Sequence, residues 1–190
     1  MNFYNAFMSV FEKGELGQVR KNLMKLASGH VLEIGVGTGV NLSYYDYDAI
    51  DKLTLTDLKL SPLVETRLSE NVEFVEADVQ DLPFKDMTFD TVVISLVFCS
   101  VRDVNRGLSE IKRVLKSEGK IIFIEHVRPE LSPLDTLSDA VTPLWRKMAS
   151  NCHLNRDFLE SLNENGFDYS VKSRFNKTAF VAGIGNTKAT

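Results

Sequence analysis

The chain predicts an α/β fold: an open, largely parallel sheet with helices on both faces. Three observations point there. Short apolar runs of strand length alternate with segments of helical period. The runs at 89–98 and 121–127 are nearly continuous, as in strands buried on both faces. The length, 190 residues with 44% hydrophobic and 25% charged, suits one domain (1–190) with a substantial core.

Taken in order, residues 3–27 begin with Phe3, Ala6, Phe7, Val10 and Phe11 on one helical face. Gly14 and Gly17 are expected to divide this stretch, with a second helix over 16–27, and residues 1–27 to form an N-terminal helical lid. Ser28-Gly29 ends it, HVLEIG (30–35) is a buried strand, and GTGVNLSYY leads into a helical segment. KLTLTDL (52–58) is a strand, LSPLVETRL (60–68) a short helix, NVEFVEA (71–77) a strand, 80–88 a loop and FDTVVISLVF (89–98) a strand. VNRGLSEIKRVL (104–115) carries Leu108, Ile111, Val114 and Leu115 on one face; SEGK (117–120) predicts a turn before the strand IIFIEHV (121–127). Pro129, Pro133 and Pro143 mark 128–150 as an inserted helical cap. NRDFLESLNENG (155–166) is a helix with Asn155 as its N-cap candidate. DYSVKSRF (168–175) and TAFVAGIG (178–185) form a closing antiparallel pair around a turn at Asn176-Lys177.

The formal charge of −4 offers no basic excess for nucleic acid. Cys99 and Cys152 lack a CxxC spacing, the N-terminus lacks a basic n-region, and the longest apolar stretch (91–101) is too short to cross a bilayer. These features set the expected compartment as the cytoplasm.

Sheets of this kind bind ligands beyond the carboxyl ends of their strands. The first such position holds Gly35-Val36-Gly37-Thr38-Gly39, where three missing Cβ atoms let the backbone turn close to a ligand. Val40 stands where a dinucleotide fingerprint needs glycine, and no G-K-[ST] motif is present for a phosphate loop. The second position holds Asp57, an acceptor for vicinal ribose hydroxyls; the third holds Asp78, an acceptor for an exocyclic adenine amine, with a neighbouring backbone N–H for the ring. Alone, each is also what a tight turn or a capping acid looks like. Their joint occurrence at successive strand ends favours the ligand reading.

VLEIGVGTGVNL (31–42), Asp57, EADVQDLPF (76–84), FDTVVISLVFCSV (89–101) and EIKRVLKSEGKIIFIEH (110–126) together resemble the class I S-adenosylmethionine-dependent methyltransferases. The resemblance spans about 1–185 and implies a Rossmann-like seven-stranded sheet of order 3-2-1-4-5-7-6 with its last strand antiparallel. It implies S-adenosylmethionine as cofactor, S-adenosylhomocysteine as product, and no metal. Gly35, Gly37 and Gly39 would line the methionine end, with Glu33 orienting that loop or the amino group. Asp57 would hold the ribose, Leu58 pack on adenine and Asp78 bind its amine; Asn41, Val79 and Ser95 complete the donor contacts. Ser117-Glu118-Gly119 departs from the family's usual Pro-Gly-Gly at a turn.

FYNAFMSVFEK (3–13), IEHVRP (124–129) and NCHLNRD (151–157) resemble a branch that includes ubiquinone-type C-methyltransferases, bacterial phosphatidylethanolamine N-methyltransferases and thiol S-methyltransferases. The partner implied is a small-molecule or lipid acceptor, with peripheral membrane contact through Phe3, Phe7 and Phe11 as one form of it. His126, ending the fifth strand, is the candidate base for an acceptor that must lose a proton. Tyr4 and Trp145 are candidate walls of the acceptor pocket, and Arg128 and Arg156 candidate anchors for an anionic group. Cys152 and His153 lack the further ligands of a zinc site, and Cys152 is expected to be buried. Two alternatives stay open at this point: a donor-binding scaffold without catalysis, and a nicotinamide oxidoreductase, against which Val40 and Asp78 speak.

Overall fold

A computed structural model describes residues 14–148, 151–175 and 179–188. The strands are β1 (Gly29–Ile34), β2 (Ile50–Asp57), β3 (Val72–Glu76), β4 (Phe89–Ser95), β5 (Leu115–His126), β6 (Phe167–Phe175) and β7 (Phe180–Thr187). The α-helices are α1 (Glu15–Met24), α2 (Pro62–Glu65), α3 (Val104–Val114), α4 (Leu134–Met148) and α5 (Phe158–Glu164). The seven strands form one sheet of order β3-β2-β1-β4-β5-β7-β6. β1 to β5 pair in parallel, and β7 runs antiparallel to both β5 and β6. This is the expected Rossmann-like topology.

Strand alternation explains the two cores. Leu32, Ile94 and Phe123 face one way, onto Leu108 and Ile111 of α3 and Phe158 of α5. Their neighbours Val31, Val93 and Ile122 face the other, onto Leu23 and Met24 of α1. Central strands thus bury both faces, which is why β4 and β5 read as continuous apolar runs. Each fully buried large side chain contributes about 1.5–3 kcal/mol.

Several boundaries differ from the sequence expectation. α1 starts at Glu15, directly after Gly14, and carries Gly17 buried within it; tertiary burial overrides the local breaker. The segment 60–68 keeps only the single turn α2, capped by Ser61, whose hydroxyl accepts the Leu63 N–H. The expected turn at 117–120 lies inside β5 as a bulge, because Phe89 and Thr91 of β4 face Leu115 and Lys120. Asp157, not Asn155, caps α5 by accepting the Glu160 N–H at 2.9 Å, while the Asn155 amide donates to Asp139 at 3.0 Å. The first helical stretch at 3–13, with Tyr4, and the turn at Asn176-Lys177 lie outside the described residues. Among the described residues no helix is long and apolar enough to cross a membrane.

Candidate functional site

β1 lies between β2 and β4, so the chain reverses its direction of travel across the sheet at β1. The crevice beyond the carboxyl ends of β1 and β4 is therefore the switch point of this fold. The glycine loop leaves β1 there. Gly35, Gly37 and Gly39 have φ of 65°, 55° and 78°, the left-handed region that glycine enters without strain. A Cβ on Gly35 would sit 2.5 Å from Val97 Cγ2, so that glycine serves close packing inside the protein. Among the described residues, a Cβ on Gly37 would meet only the Gly35 carbonyl oxygen, at 3.9 Å. Gly37 therefore presents an open backbone face, a cradle that a side chain would fill.

Asp57, at the end of β2, closes the same loop. Its Oδ2 accepts the Gly37 N–H at 2.8 Å and its Oδ1 accepts the Leu58 N–H at 2.7 Å. Each oxygen keeps a further lone pair for a ligand hydroxyl. Leu58 beside it is 68% exposed, an apolar side chain set at the rim. Asp78, after β3, is exposed and accepts the Gln80 N–H at 2.9 Å and the Gln80 amide at 3.0 Å. Gln80 in turn accepts the Asp103 N–H at 2.9 Å, which ties Asp78 to the start of α3. The Val79 side chain is buried in the core, so only its backbone can address a ligand.

Beneath the loop runs a buried polar network. Glu33 accepts from the Asn41 amide at 2.7 Å and from the Tyr45 hydroxyl at 2.8 Å. Arg20, from α1, donates to Asn41 Oδ1 at 2.5 Å and to Ser95 Oγ at 2.6 Å. Burial pushes the Glu33 carboxyl up to about 7, although the Tyr45 and Asn41 bonds and the Arg20 charge favour its ionised form. Glu33 is thus under the loop and reaches it through Asn41. Arg20, Tyr45 and Gln80 are site residues that sequence reasoning missed. For Arg20 a signal existed: it shares the buried helical stripe of Leu16, Leu23 and Met24, where an unpaired charge is not tolerated.

At the end of β4 the backbone turns sharply at Leu96, whose φ is 59°. The buried Glu125 carboxylate of β5 holds the next two residues: its Oε1 accepts the Val97 N–H at 2.7 Å and the Phe98 N–H at 3.0 Å. Three side chains after α4 grip the carbonyls of residues 98–100. Arg156 donates to Phe98 O, His153 Nδ1 lies 3.0 Å from Cys99 O, and Asn151 donates to Ser100 O at 3.3 Å.

Arg156 is committed to Phe98 O, and Arg128 pairs with Asp139 at 2.7 Å. Arg128 borders a cavity of about 440 Å³ with Tyr169 and Arg174, next to α5 and β6. Trp145 packs against Cys99 and Cys152, both buried, and so backs this clamp. His126 stands edge-on to Phe180 with ring centroids 5.2 Å apart, and burial pushes its pKa down to about 4. It is neutral at pH 7, the form a general base needs, and burial lowers its basicity.

A methyltransferase-domain family model matches residues 32–123, from β1 into β5. The chain is 32% identical over 157 residues to a thiol S-methyltransferase of Mus musculus, covering 77% of this chain and 63% of that one. It is 31% identical over 122 residues to a phosphatidylethanolamine N-methyltransferase of Cereibacter sphaeroides, covering 60% and 58%. The chain thus spans about six-tenths of the length of these relatives. An S-adenosylmethionine-dependent methyltransferase structure from Mesorhizobium loti shares the fold, with a TM-score of 0.70, 15% identity, and coverage of 89% of this chain and 96% of that one. The glycine loop and the β2 acid fall within the matched residues 32–123, and the family model, the relatives and the shared fold together support a class I S-adenosylmethionine-dependent methyltransferase.

Proposed function

We propose that the chain transfers a methyl group from S-adenosylmethionine to a small-molecule or lipid acceptor by in-line displacement. The observation that carries this reading is the open face of Gly37 beside the Asp57 carboxylate. When bound, the cofactor supplies a methyl group activated on a sulfonium sulfur. The remaining work is proximity and orientation, which fall to this chain's own residues.

Gly35, Gly37 and Gly39 would carry the methionine end of the donor over the backbone, with Asn41 and Ser95 fixed from below by Arg20. Asp57 would take the ribose hydroxyls, Leu58 one adenine face, and Asp78 with the Val79 backbone the adenine edge. Glu33 orients the loop through Asn41. With His126 at about 4, no proton step is assigned to it; an acceptor such as a thiol would ionise by its own acidity. Cys99 and Cys152 as free thiols accord with a cytoplasmic setting.

A lipid acceptor is favoured by one further observation. Leu131, Leu137, Val141 and Leu144 are exposed on and before α4, while the buried positions of that helix include Ser138 and Thr142. Sedimentation with phosphatidylethanolamine-rich vesicles tests this, and binding should fall when Leu137, Val141 and Leu144 become serine. Unchanged binding removes the lipid reading.

The central test is calorimetric titration with S-adenosylmethionine, S-adenosylhomocysteine and NADH. Micromolar binding of the first two and none of the third is expected. Folded protein that binds neither donor nor product overturns the reading. Binding without transfer to thiols, quinone precursors or phospholipids would leave a donor-binding scaffold.

A further inference from the structure

We infer that Glu125 is a positioning residue for the donor site, acting through Val97 on the glycine loop. The inference rests on the reading that this loop binds the donor. Glu125 is fully buried at the end of β5, facing the core that holds Phe123 and Val127 rather than the His126 side. Its Oε1 accepts two successive backbone N–H groups, those of Val97 and Phe98. Among the described residues its Oε2 has no hydrogen-bond partner. A buried carboxylate is costly unless its bonds repay it, so its presence here needs a reason that packing does not supply.

The reason lies in what those two N–H groups control. Leu96 occupies the left-handed region at φ 59°, unfavourable for a branched side chain, and persists only where its neighbours over-determine it. On one side Ser95 is held by Arg20. On the other, Val97 is held by Glu125. This turn aims the Val97 side chain at Gly35, so closely that a Cβ on Gly35 would overlap Val97 Cγ2 at 2.5 Å. Val97 is therefore the wall against which the first glycine of the loop rests. The path is continuous: Glu125 carboxylate, Val97 N–H, Val97 methyl groups, Gly35 backbone. Removing the acceptor leaves the half-buried Val97 N–H and the buried Phe98 N–H unpaired and frees the turn to relax, which shifts the wall.

A double-mutant cycle on S-adenosylhomocysteine affinity tests this, using the full chain and the variants Glu125→Ala, Val97→Ala and both together. Near-ultraviolet circular dichroism confirms that each is folded at the assay temperature. If Glu125 acts through Val97, Glu125→Ala weakens binding at least tenfold, and the double variant is within twofold of it. A folded Glu125→Ala with wild-type affinity overturns the inference, as does a double variant whose losses multiply. Should Glu125→Ala fail to fold, Glu125→Gln is run in the same cycle. A loss of threefold or more, again without added loss from Val97→Ala, supports the inference, and anything less overturns it. Failure of the underlying reading looks different: the wild-type chain would bind no S-adenosylhomocysteine.

Discussion

The Gly37 N–H donates to Asp57 Oδ2 at 2.8 Å, so the loop after β1 and the acid ending β2 form one unit before any ligand arrives. Removing the carboxylate both subtracts ligand contacts and releases the loop. Asp57→Ala should therefore weaken S-adenosylhomocysteine binding by about 1–3 kcal/mol, roughly 5- to 150-fold, in a calorimetric titration. An unchanged dissociation constant would show that the ribose is held elsewhere.

Two glycines of one loop should fail differently. Gly37→Ala puts a methyl group into the open face and a left-handed residue at a strain of about 1–2 kcal/mol; donor binding should vanish while the fold survives. In Gly39→Ala the methyl group would lie 2.9 Å from Leu42 Cδ1 and 3.2 Å from Val64 Cγ2, so stability in urea should drop further than for Gly37→Ala. Wild-type donor affinity in Gly37→Ala would count against the cradle.

Arg20→Leu keeps the apolar stem of a buried residue and deletes its donors to Asn41 and Ser95. Urea denaturation should report a loss of about 1–3 kcal/mol, accompanied by weaker donor binding because Asn41 loses its anchor. A variant with unaltered stability and affinity would show that the network is incidental.

Stability should fall as pH rises from 6.5 to 8. Burial raises the Glu33 and Glu125 carboxyls from 4.5 to about 7, so the folded state holds extra protons in that window and loses their stabilisation as pH climbs through it. His126 acts oppositely, lowered from 6.5 to about 4, and its contribution is full only above 6.5. His30 and His153, also lowered by burial, act with it, so the imidazoles oppose the carboxyls up to 6.5 and only the carboxyls titrate between 6.5 and about 7. Melting temperatures measured across this range should decline, and Glu33→Gln or Glu125→Gln should each flatten the slope. A wild-type profile that rises to pH 8 would mean that these groups are better solvated than their burial implies.

What the sequence revealed depends on chain distance. The glycine loop, Asp57 and Asp78 were legible because each sits at the end of its own apolar run, and strand ends converge in any parallel sheet. Arg20 bonding Ser95 and Glu125 bonding Val97 join residues 75 and 28 positions apart, and become partners only once α1 packs and β4 and β5 pair. The burial of His126 has the same origin, because Phe180, which sets its ring 5.2 Å away edge-on, arrives only with the returning β7. Asn155 lost its cap to Asp157 by the usual two-residue margin of helix ends.

The grip of Asn151, His153 and Arg156 on three successive carbonyls, Ser100 to Phe98, has a bearing on how such a chain diversifies. It pins the exit of the cap to the floor of the crevice, while the bond from Arg128 N–H to Arg156 O closes the base of the intervening excursion. Between these two ties the exposed apolar residues of α4, Leu137, Val141 and Leu144, take no part in the bonds that hold the crevice floor. Exchanging them should therefore alter the outer face of the cap while leaving the donor cradle in place.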